Sequence, residues 1–268
     1  MASAMAWAAA VRDLAPLAQL ALAPPVRGLT ITPDRVAYYG AFGRPSPRCL
    51  GSWALYLSLD LPFTLHEADH EARSSHLALV PPWTPHRVLP GASELGVLLI
   101  EPDSVDGDAL QARLMGNASM QRRTAISVAE GFGRPRAADA DLDLQFFGAA
   151  LPTRAIDDRI RRVIALIANP DSRTLSAEHC AGQVFLSPSR FMHLFSEQTD
   201  TTFRRFRAWK RARRMLSLLA GHPRLIEAAL DAGYADSTHL SRAMRSCYGY
   251  TPSALSAFTR DLPVVARL

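Results

Sequence analysis

Residues 175–198 read LSAEHCAGQVFLSPSRFMHLFSEQ, and residues 224–249 read RLIEAALDAGYADSTHLSRAMRSCYG. In the first stretch Ser176 begins a short helix. Ser187 then caps a second helix with Pro188 at its first position, where proline is favoured because the missing N–H would be unpaired anyway. The stretch therefore predicts two short helices joined by a tight turn, which is a helix-turn-helix unit.

The second stretch repeats this layout about 49 residues later. Residues 225–232 are predicted to form its first helix, and Gly233 follows at the point where a helix C-terminus needs a left-handed residue. Asp236 caps the next helix. Two such units in one chain predict two reading helices, each able to enter the major groove of a duplex.

In each unit the second helix turns its apolar side chains inward and its small, polar or basic side chains outward. The predicted core positions are Phe191, Leu194 and Phe195 in the first unit and Leu240, Ala243 and Met244 in the second. The outward residues, predicted to contact DNA, are Ser189, Arg190, Met192, His193, Ser237, Thr238, Ser241, Arg242 and Arg245. Arg242 is the strongest candidate for base recognition, because its guanidinium can bond O6 and N7 of guanine at once.

A basic segment, TFRRFRAWKRARRMLSLLA at residues 202–220, joins the two units. Seven of the eleven residues from Arg204 to Arg214 are basic. The apolar residues recur at helical period and are Phe203, Phe206, Trp209, Ala212, Met215, Leu216 and Leu219. A helix over residues 202–219 would be ~27 Å long, enough to hold two reading helices near one DNA turn of ~34 Å apart. The alternative is an amphipathic helix that binds a membrane surface or a protein partner.

Charge is distributed unevenly along the chain. Residues 151–268 hold 18 Arg or Lys and 10 Asp or Glu, whereas residues 1–150 hold 12 and 15, within a total net charge of +5. The positive excess favours a polyanionic partner for the C-terminal part, since phosphate contacts that release counterions supply most non-specific affinity for DNA. A solvated basic face without such a partner is the alternative.

Length and composition limit the class of protein. At 268 residues, two domains are expected. The cysteines Cys49, Cys180 and Cys247 are odd in number and form no C-x-x-C pair, which predicts neither a disulfide framework nor a zinc cluster and fits a reducing cytoplasm. No apolar run reaches the ~18–20 residues of a membrane span, so no membrane partner is expected. Residues 1–28 are expected to be a lightly packed extension rather than a signal peptide.

Short apolar runs separated by turn residues follow from Leu29. Their spacing, and the prolines between them, predict strands rather than helices. The predicted strands are Arg35–Tyr39, Ser52–Leu59, Phe63–Glu67, His76–Val80 and Gly96–Ile100. The expected class is α+β: an antiparallel sandwich or small barrel with trailing helices over residues 29–150, followed by an all-α domain over residues 151–268.

The helical part resembles the DNA-binding domain of the AraC/XylS family of transcription regulators. The match covers residues 175–255 and rests on LSPSRF at 186–191, LF at 194–195, AGYADS at 232–237, SR at 241–242 and YGYTP at 248–252. The resemblance implies a bilobed, seven-helix domain whose reading helices enter adjacent major grooves. It implies base contacts by Ser189, Met192, His193, Ser237, Thr238, Ser241 and Arg242. Asp200 departs from the family, which usually has glycine there, and aspartate tolerates a left-handed backbone at some cost.

The N-terminal half resembles the cupin-type sensor barrel found in part of that family. The resemblance rests on HLALVPPWTPHR at residues 76–87 and LGVLLIEP at residues 95–102. Such a barrel binds a small effector or mediates dimerisation, and the candidate effector-binding residues are Trp53, Tyr56, Trp83 and His86. The partners implied by the resemblance are double-stranded DNA, a small-molecule effector, a second copy of the chain and RNA polymerase.

Two enzymatic functions and one structural function are the alternatives. A cupin metalloenzyme would need an H-x-H pair, which His66, His70, His76 and His86 do not supply, so no metal or other cofactor is expected. A DNA-repair alkyl transferase would need a cysteine cluster where Cys49 stands alone. An architectural DNA-binding protein would have both reading helices but no sensing role. We expect a regulator without enzymatic activity.

Overall fold

The computed structural model describes residues 23–67, 70–135, 140–169, 175–221, 224–260 and 262–266. Residues 1–22 of the expected N-terminal extension lie outside these ranges. At the end of that extension the amide of Val26 donates to the carbonyl of Phe132 at 2.8 Å, while the Val26 side chain is exposed. Gly28 then begins the first strand, and the extent of the extension stays a prediction.

Two packed sheets form most of the N-terminal half. Their strands are β1 (Gly28–Ile31), β2 (Arg35–Ala41), β3 (Trp53–Leu57), β4 (Phe63–Glu67), β5 (Arg73–Ser75), β6 (Leu77–Val80), β7 (His86–Leu89), β8 (Glu94–Ile100) and β9 (Val264–Ala266). The larger sheet has the order β6-β3-β8-β2-β1-β9 and the smaller one β5-β4-β7. The α+β class is confirmed, and within the described ranges the sheets form an open sandwich rather than a closed barrel.

Side chains of the larger sheet alternate between two cores. In β3, Ala54 and Tyr56 share a core with Phe63 of the smaller sheet. Trp53 and Leu55 point the other way, into a second core. All residues of β3 are buried, as expected of a strand that is covered on both faces.

Three helices cover the second face of the larger sheet: α1 (Gly107–Met115), α2 (Ala118–Gly133) and α3 (Leu142–Phe147). The packing is close at Gly96 of β8, where an added Cβ would lie 2.5 Å from the ring of Phe132. Glycine therefore lets α2 approach the sheet.

All five predicted strands are present, with ends shifted by at most two residues. Four others escaped prediction: β1, β5, β7 and β9. Strand β7 lies between Pro85 and Pro90, which bound it rather than exclude it, because proline is tolerated at strand ends. Strand β9 follows the helical part and pairs in parallel with β1, which places residues 264–266 in the N-terminal sheet.

Seven helices follow within the described residues. They are α4 (Asp158–Ala168), α5 (Ala177–Gln183), α6 (Pro188–Thr199), α7 (Phe203–Gly221), α8 (Leu225–Asp231), α9 (Ser237–Tyr248) and α10 (Pro252–Arg260). Helices α5 and α6 form the first predicted unit, α8 and α9 form the second, and α7 connects them. The seven residues of the predicted apolar stripe of α7 are all buried.

The local signals that predicted these helices are confirmed. Ser187 accepts a hydrogen bond from the Arg190 amide at the start of α6. Asp236 caps α9 through the amide of His239. Gly233 has φ 81° and Asp200 has φ 54°, so both adopt the left-handed backbone that their positions required.

The two units differ in the core to which they belong. The first packs around Phe191 and Phe195 with Ile160 of α4 and Phe206 of α7, in a cluster without sheet residues. The second contributes its buried side chains, among them Leu240, to the same core as the inner face of the sandwich. The division of the chain at residue 151 stays a prediction.

Candidate functional site

Helix α6 exposes most of the side chains predicted to contact DNA. Ser189, Arg190 and His193 are exposed, whereas Met192 is half-buried and packs against the core of the first unit. Behind this face the rings of Phe191 and Phe203 meet edge to face at 5.3 Å, which fixes α6 against α7. Of the predicted contact residues, helix α6 thus exposes one arginine, one histidine and one hydroxyl.

Helix α9 presents a more basic face. Ser237, Thr238, Arg242 and Arg245 are exposed, and Ser241 is half-buried. Within the described ranges no carboxylate lies in ion-pair range of Arg242 or Arg245. Their guanidinium groups are therefore available for an anionic partner such as a DNA phosphate or for a guanine edge.

The turn between α5 and α6 contains an unusual residue. Phe185 has φ 55°, and its side chain is 94% exposed. A bulky residue in the left-handed region is strained, and no burial of its ring offsets that cost.

Two basic residues of α7 contact the N-terminal half instead of solvent. Glu101, which follows β8 and is 1% exposed, accepts hydrogen bonds from Lys210 Nζ at 2.6 Å and Arg213 Nε at 2.9 Å. The indole of Trp209 also donates to Glu101, at 3.0 Å. Burial alone would raise the pKa of Glu101, but the two cations outweigh burial and hold that pKa below its ordinary value. The basic run therefore has one face that holds α7 to the sandwich.

The C-terminal end of α9 also touches the N-terminal half. The Ser46 amide donates to the carbonyl of Gly249 at 2.9 Å. Gly249 has φ 78°, and a Cβ at this position would lie 2.5 Å from the Ser46 carbonyl oxygen. Glycine is thus required here both by the helix end and by the close approach of the 45–50 segment.

A cavity of about 90 Å³ lies between the sandwich and helices α7, α9 and α10. Its walls are mainly apolar and aromatic: Leu29, Val36, Tyr38, Phe42, Leu50, Tyr56, Val97, Leu99, Leu216, Tyr248, Tyr250, Leu255 and Phe258. Arg48 is also among the lining residues. The Tyr248 hydroxyl is buried and has no hydrogen-bond partner in the described part of the chain.

Arg48 is a buried cation held by neutral groups. It is 6% exposed, and its guanidinium donates to the Tyr56 hydroxyl at 2.9 Å and to the Tyr248 carbonyl at 3.4 Å. No carboxylate of the described residues pairs with it. A buried charge is costly unless it is paired, so this arrangement fits an anionic ligand.

His86 completes a hydrogen-bond chain behind Arg48. Nδ1 of His86 lies 2.8 Å from the Thr84 carbonyl, a contact that needs an N–H donor, which leaves Nε2 to accept from the Tyr56 hydroxyl at 2.8 Å. Burial, and then the Arg48 guanidinium, lower the pKa of His86 to about 3. The imidazole is therefore neutral near pH 7 and cannot repel the cation.

The four predicted effector-binding residues occupy different places. Tyr56 lines the cavity, and His86 stands behind it. Trp53 lies on the opposite face of the larger sheet, in the second core, and is not among the residues that line the cavity. Trp83 lies beneath the Arg205 guanidinium, 4.7 Å from the ring centre, and is not among the lining residues.

Arg48 and Glu101 are the important groups that the sequence did not reveal. Arg48 sits in a proline-rich stretch without periodicity, and Glu101 ends a strand, so neither position carries a local sign of burial. The described residues contain no group of three or more His, Cys, Asp or Glu placed to hold a metal ion. None of the helices within the described ranges combines the length and hydropathy needed to cross a bilayer.

Comparison with known proteins agrees with this arrangement. Residues 180–257 match a family model described as a helix-turn-helix domain, which confirms the AraC-type resemblance of that part. An apo variant of ToxT from Vibrio cholerae superposes with a TM-score of 0.57 at 11% identity, covering 84% of this chain and 98% of that chain.

Two ligand-bound structures of ToxT share the same fold. ToxT with a bound unsaturated fatty acid gives a TM-score of 0.52 at 10% identity, covering 86% of this chain and 97% of that chain. ToxT bound to (E)-4-(8-methylnaphthalen-1-yl)but-3-enoic acid gives 0.53 at 11% identity, covering 84% and 99%. At these identities the likeness establishes the shared fold.

Proposed function

Because residues 180–257 are a helix-turn-helix domain of AraC type, we propose that this chain is a DNA-binding transcription regulator controlled by a small effector. Two reading helices, α6 and α9, dock in successive major grooves on one side of a duplex. The observation that carries this proposal is the pair of capped helices that expose polar and basic faces, joined by one helix of 19 residues, which is about 28 Å long.

The division of labour between the helices follows from their exposed groups. Arg242 reads a guanine edge, and Ser237, Thr238, Ser241 and Arg245 make phosphate or mixed contacts. Ser189, Arg190 and His193 of α6 make the contacts of the first unit. Met192 contributes least, because it is half-buried. Helix α9 therefore carries most of the sequence recognition.

The effector proposed for the cavity is a small apolar carboxylic acid. Its carboxylate would pair with Arg48, and its chain would lie against the aromatic and aliphatic walls. The two ToxT structures whose ligands are an unsaturated fatty acid and a butenoic acid support this class, since both ligands join a carboxylate to an apolar body.

Effector binding would reach the DNA-reading face through α9. Arg48 donates to the carbonyl of Tyr248, the last residue of that helix, and Tyr248 itself lines the cavity. A carboxylate that draws the guanidinium away from this carbonyl removes a hydrogen bond from the last residue of α9. The ligand then binds differently to the protein in two placements of this reading helix. An effector can shift the balance between two states only through such a difference.

Selection from a random DNA pool with the full-length protein tests the DNA-binding proposal. We expect enrichment of two half-sites about 10–10.5 base pairs apart and protection of both in footprinting. Absence of enrichment and of any footprint over a range of salt concentrations would contradict the proposal.

Thermal unfolding with octanoate tests the effector proposal, and 1-octanol, which has the same chain without the acid, is the control ligand. Octanoate at ~100 times its Kd should stabilise the protein by ~2.7 kcal/mol. Arg48→Met should abolish this shift, while Arg44→Met, at an exposed position of the same loop, should preserve it. Equal shifts with octanol, or an unchanged response of Arg48→Met, would rule out the carboxylate contact.

We propose further that the regulator forms a dimer and contacts RNA polymerase. It acts in the cytoplasm and has no catalytic activity. Light scattering of the purified chain tests dimer formation. Transcription in vitro from a selected site, with and without the protein, tests the effect on the polymerase.

A further inference from the structure

Cys49 and Cys247 lie on opposite sides of the contact between the two halves of the chain. Cys49 precedes β3, and Cys247 is in the last turn of α9. The amide of Cys49 donates to the carbonyl of Ser246 at 2.8 Å, three residues from the Ser46–Gly249 hydrogen bond. Two backbone hydrogen bonds therefore fix these short segments to one another.

The backbone contact places the two cysteines within reach of a disulfide. The carbonyl oxygen of Ser246 and the Cα of Cys247 belong to the same planar peptide unit. Given the 2.8 Å hydrogen bond, standard backbone dimensions bring the Cα atoms of Cys49 and Cys247 within about 7 Å of each other. Disulfides usually span Cα separations of about 4.4–6.8 Å, so at most a small adjustment is needed.

The surroundings of the two thiols suit a slow, inducible oxidation. Arg205 donates to the Cys49 sulfur at 3.1 Å and is exposed, so oxidants can approach from its side. Burial raises the pKa of Cys49 and raises that of Cys247 to about 12, while the Arg205 guanidinium acts in the opposite direction on both. Both thiols are therefore mainly protonated at neutral pH, which makes oxidation slow, and the minor thiolate form of Cys49, next to the cation, reacts first.

We propose that Cys49 and Cys247 form an intramolecular disulfide on exposure to a peroxide, and that this bond ties helix α9 to the N-terminal half. The Cys49 sulfur attacks hydrogen peroxide, which gives a sulfenic acid and one water. The Cys247 sulfur then attacks the Cys49 sulfur, forms the S–S bond and releases a second water. Two thiols are oxidised, with the loss of two protons and two electrons, and one peroxide is reduced to two waters.

The consequence for DNA binding rests on the proposed function. Arg242 and Arg245 lie on the exposed face of α9, about one and a half turns and half a turn before Cys247. A covalent bond at the end of this helix restricts its adjustment to a groove. We therefore expect the oxidised protein to bind its selected site more weakly, by roughly tenfold, within the usual range of coupling between two sites.

Peptide mapping and DNA titration of the full chain, before and after hydrogen peroxide, test the inference. Non-reducing mass spectrometry should show Cys49 joined to Cys247 and a loss of two hydrogens in a monomeric chain. Dithiothreitol should restore both the thiols and the affinity. Cys49→Ser and Cys247→Ser should abolish the affinity change, and Cys180→Ala, in the core of the first unit, should preserve it.

Free Cys49 and Cys247 after oxidation, or a bond between two chains instead, would overturn the disulfide. An affinity that does not fall once the bond has formed, or that falls equally in Cys49→Ser, would overturn the coupling to α9. If the reduced protein binds no DNA, the proposed function fails, and the peptide map still decides whether the cysteine pair exists.

Discussion

The two helix-turn-helix units have similar local sequences but different structural surroundings. The first unit packs on α4 and the start of α7, in a core that contains no strand residue. The second unit shares its core with the inner face of the sandwich and touches the 45–50 segment at the end of α9. The same local layout thus has a core of its own in one place and shares the core of the sandwich in the other.

This difference separates two roles within one DNA-binding domain. An effector in the cavity meets the second unit directly through Tyr248, whereas it reaches the first unit only through α7. The second unit also presents two exposed arginines on its reading helix, against one in the first. Under the proposed function, control and most of the base recognition would therefore converge on α9, and the following predictions test this asymmetry.

The largest effect is expected where α7 is held to the sandwich. Glu101→Gln removes the negative charge that faces Lys210 and Arg213, and breaking a buried pair in this way costs about 3–5 kcal/mol of unfolding free energy. Urea unfolding measures the change. Glu227→Gln, which removes one side of an exposed pair with Arg224, should change stability by less than about 0.5 kcal/mol. Similar losses in both variants would contradict the role of Glu101.

The same carboxylate predicts the pH dependence of stability. The pKa of Glu101 is below its ordinary value of 4.5 in the folded chain. The contribution of Glu101 to the free energy of unfolding is therefore complete above its pKa in the unfolded chain. It is lost as the pH falls through its lower pKa in the folded chain. Unfolding free energies measured across acid pH should fall less steeply in Glu101→Gln than in the wild type, and identical slopes would contradict this.

Matched leucine substitutions test whether the two units belong to different cores. Leu194→Ala in α6 and Leu240→Ala in α9 each empty a buried site and should cost about 2–5 kcal/mol. Hydrogen exchange should then distinguish them. Leu194→Ala should lower protection in α4 to α6 and at the start of α7, whereas Leu240→Ala should lower it in α9 and in β2 and β3. Equal spread from both sites would remove the contrast between the units.

A smaller effect is expected on DNA recognition. Arg242→Ala should weaken binding to a selected site by ~1–3 kcal/mol and relax the preference at one base pair. Arg190→Ala on α6 should weaken binding with less change in sequence preference. Competition titrations with specific and random DNA measure both. If Arg242→Ala lost as much affinity for random DNA as for the selected site, Arg242 would contact a phosphate rather than a base.

The smallest effect is expected in the turn of the first unit. Phe185→Gly relieves a left-handed backbone without loss of buried surface and should stabilise the protein by about 1 kcal/mol. Phe185→Ala keeps the strained backbone and should not raise the unfolding free energy. A stabilisation of similar size by both substitutions would place the effect in the exposed ring rather than in the backbone.

Local sequence patterns were sufficient to predict the two reading helices. Ser187 with Pro188, and Asp236 after Gly233, act on the backbone within a few residues, and the stripe of α7 follows the helical period. Such signals depend on neighbours in the chain, so the helices and the exposed faces of α6 and α9 were predictable. Five strands followed in the same way, whereas β1, β5, β7 and β9 did not, and prolines at both ends concealed β7.

Residue chemistry by itself determined the class of the protein: a strand-rich half followed by two capped helical pairs with an excess of positive charge. The tertiary structure decided which charged side chains are buried in contacts within the molecule. Glu101 meets Lys210 and Arg213 from more than 100 positions away, and Arg48 meets the Tyr248 carbonyl across 200 positions. Burial of a charge depends on what the folded chain places around it, and contacts over such separations leave no periodic or local trace in the sequence.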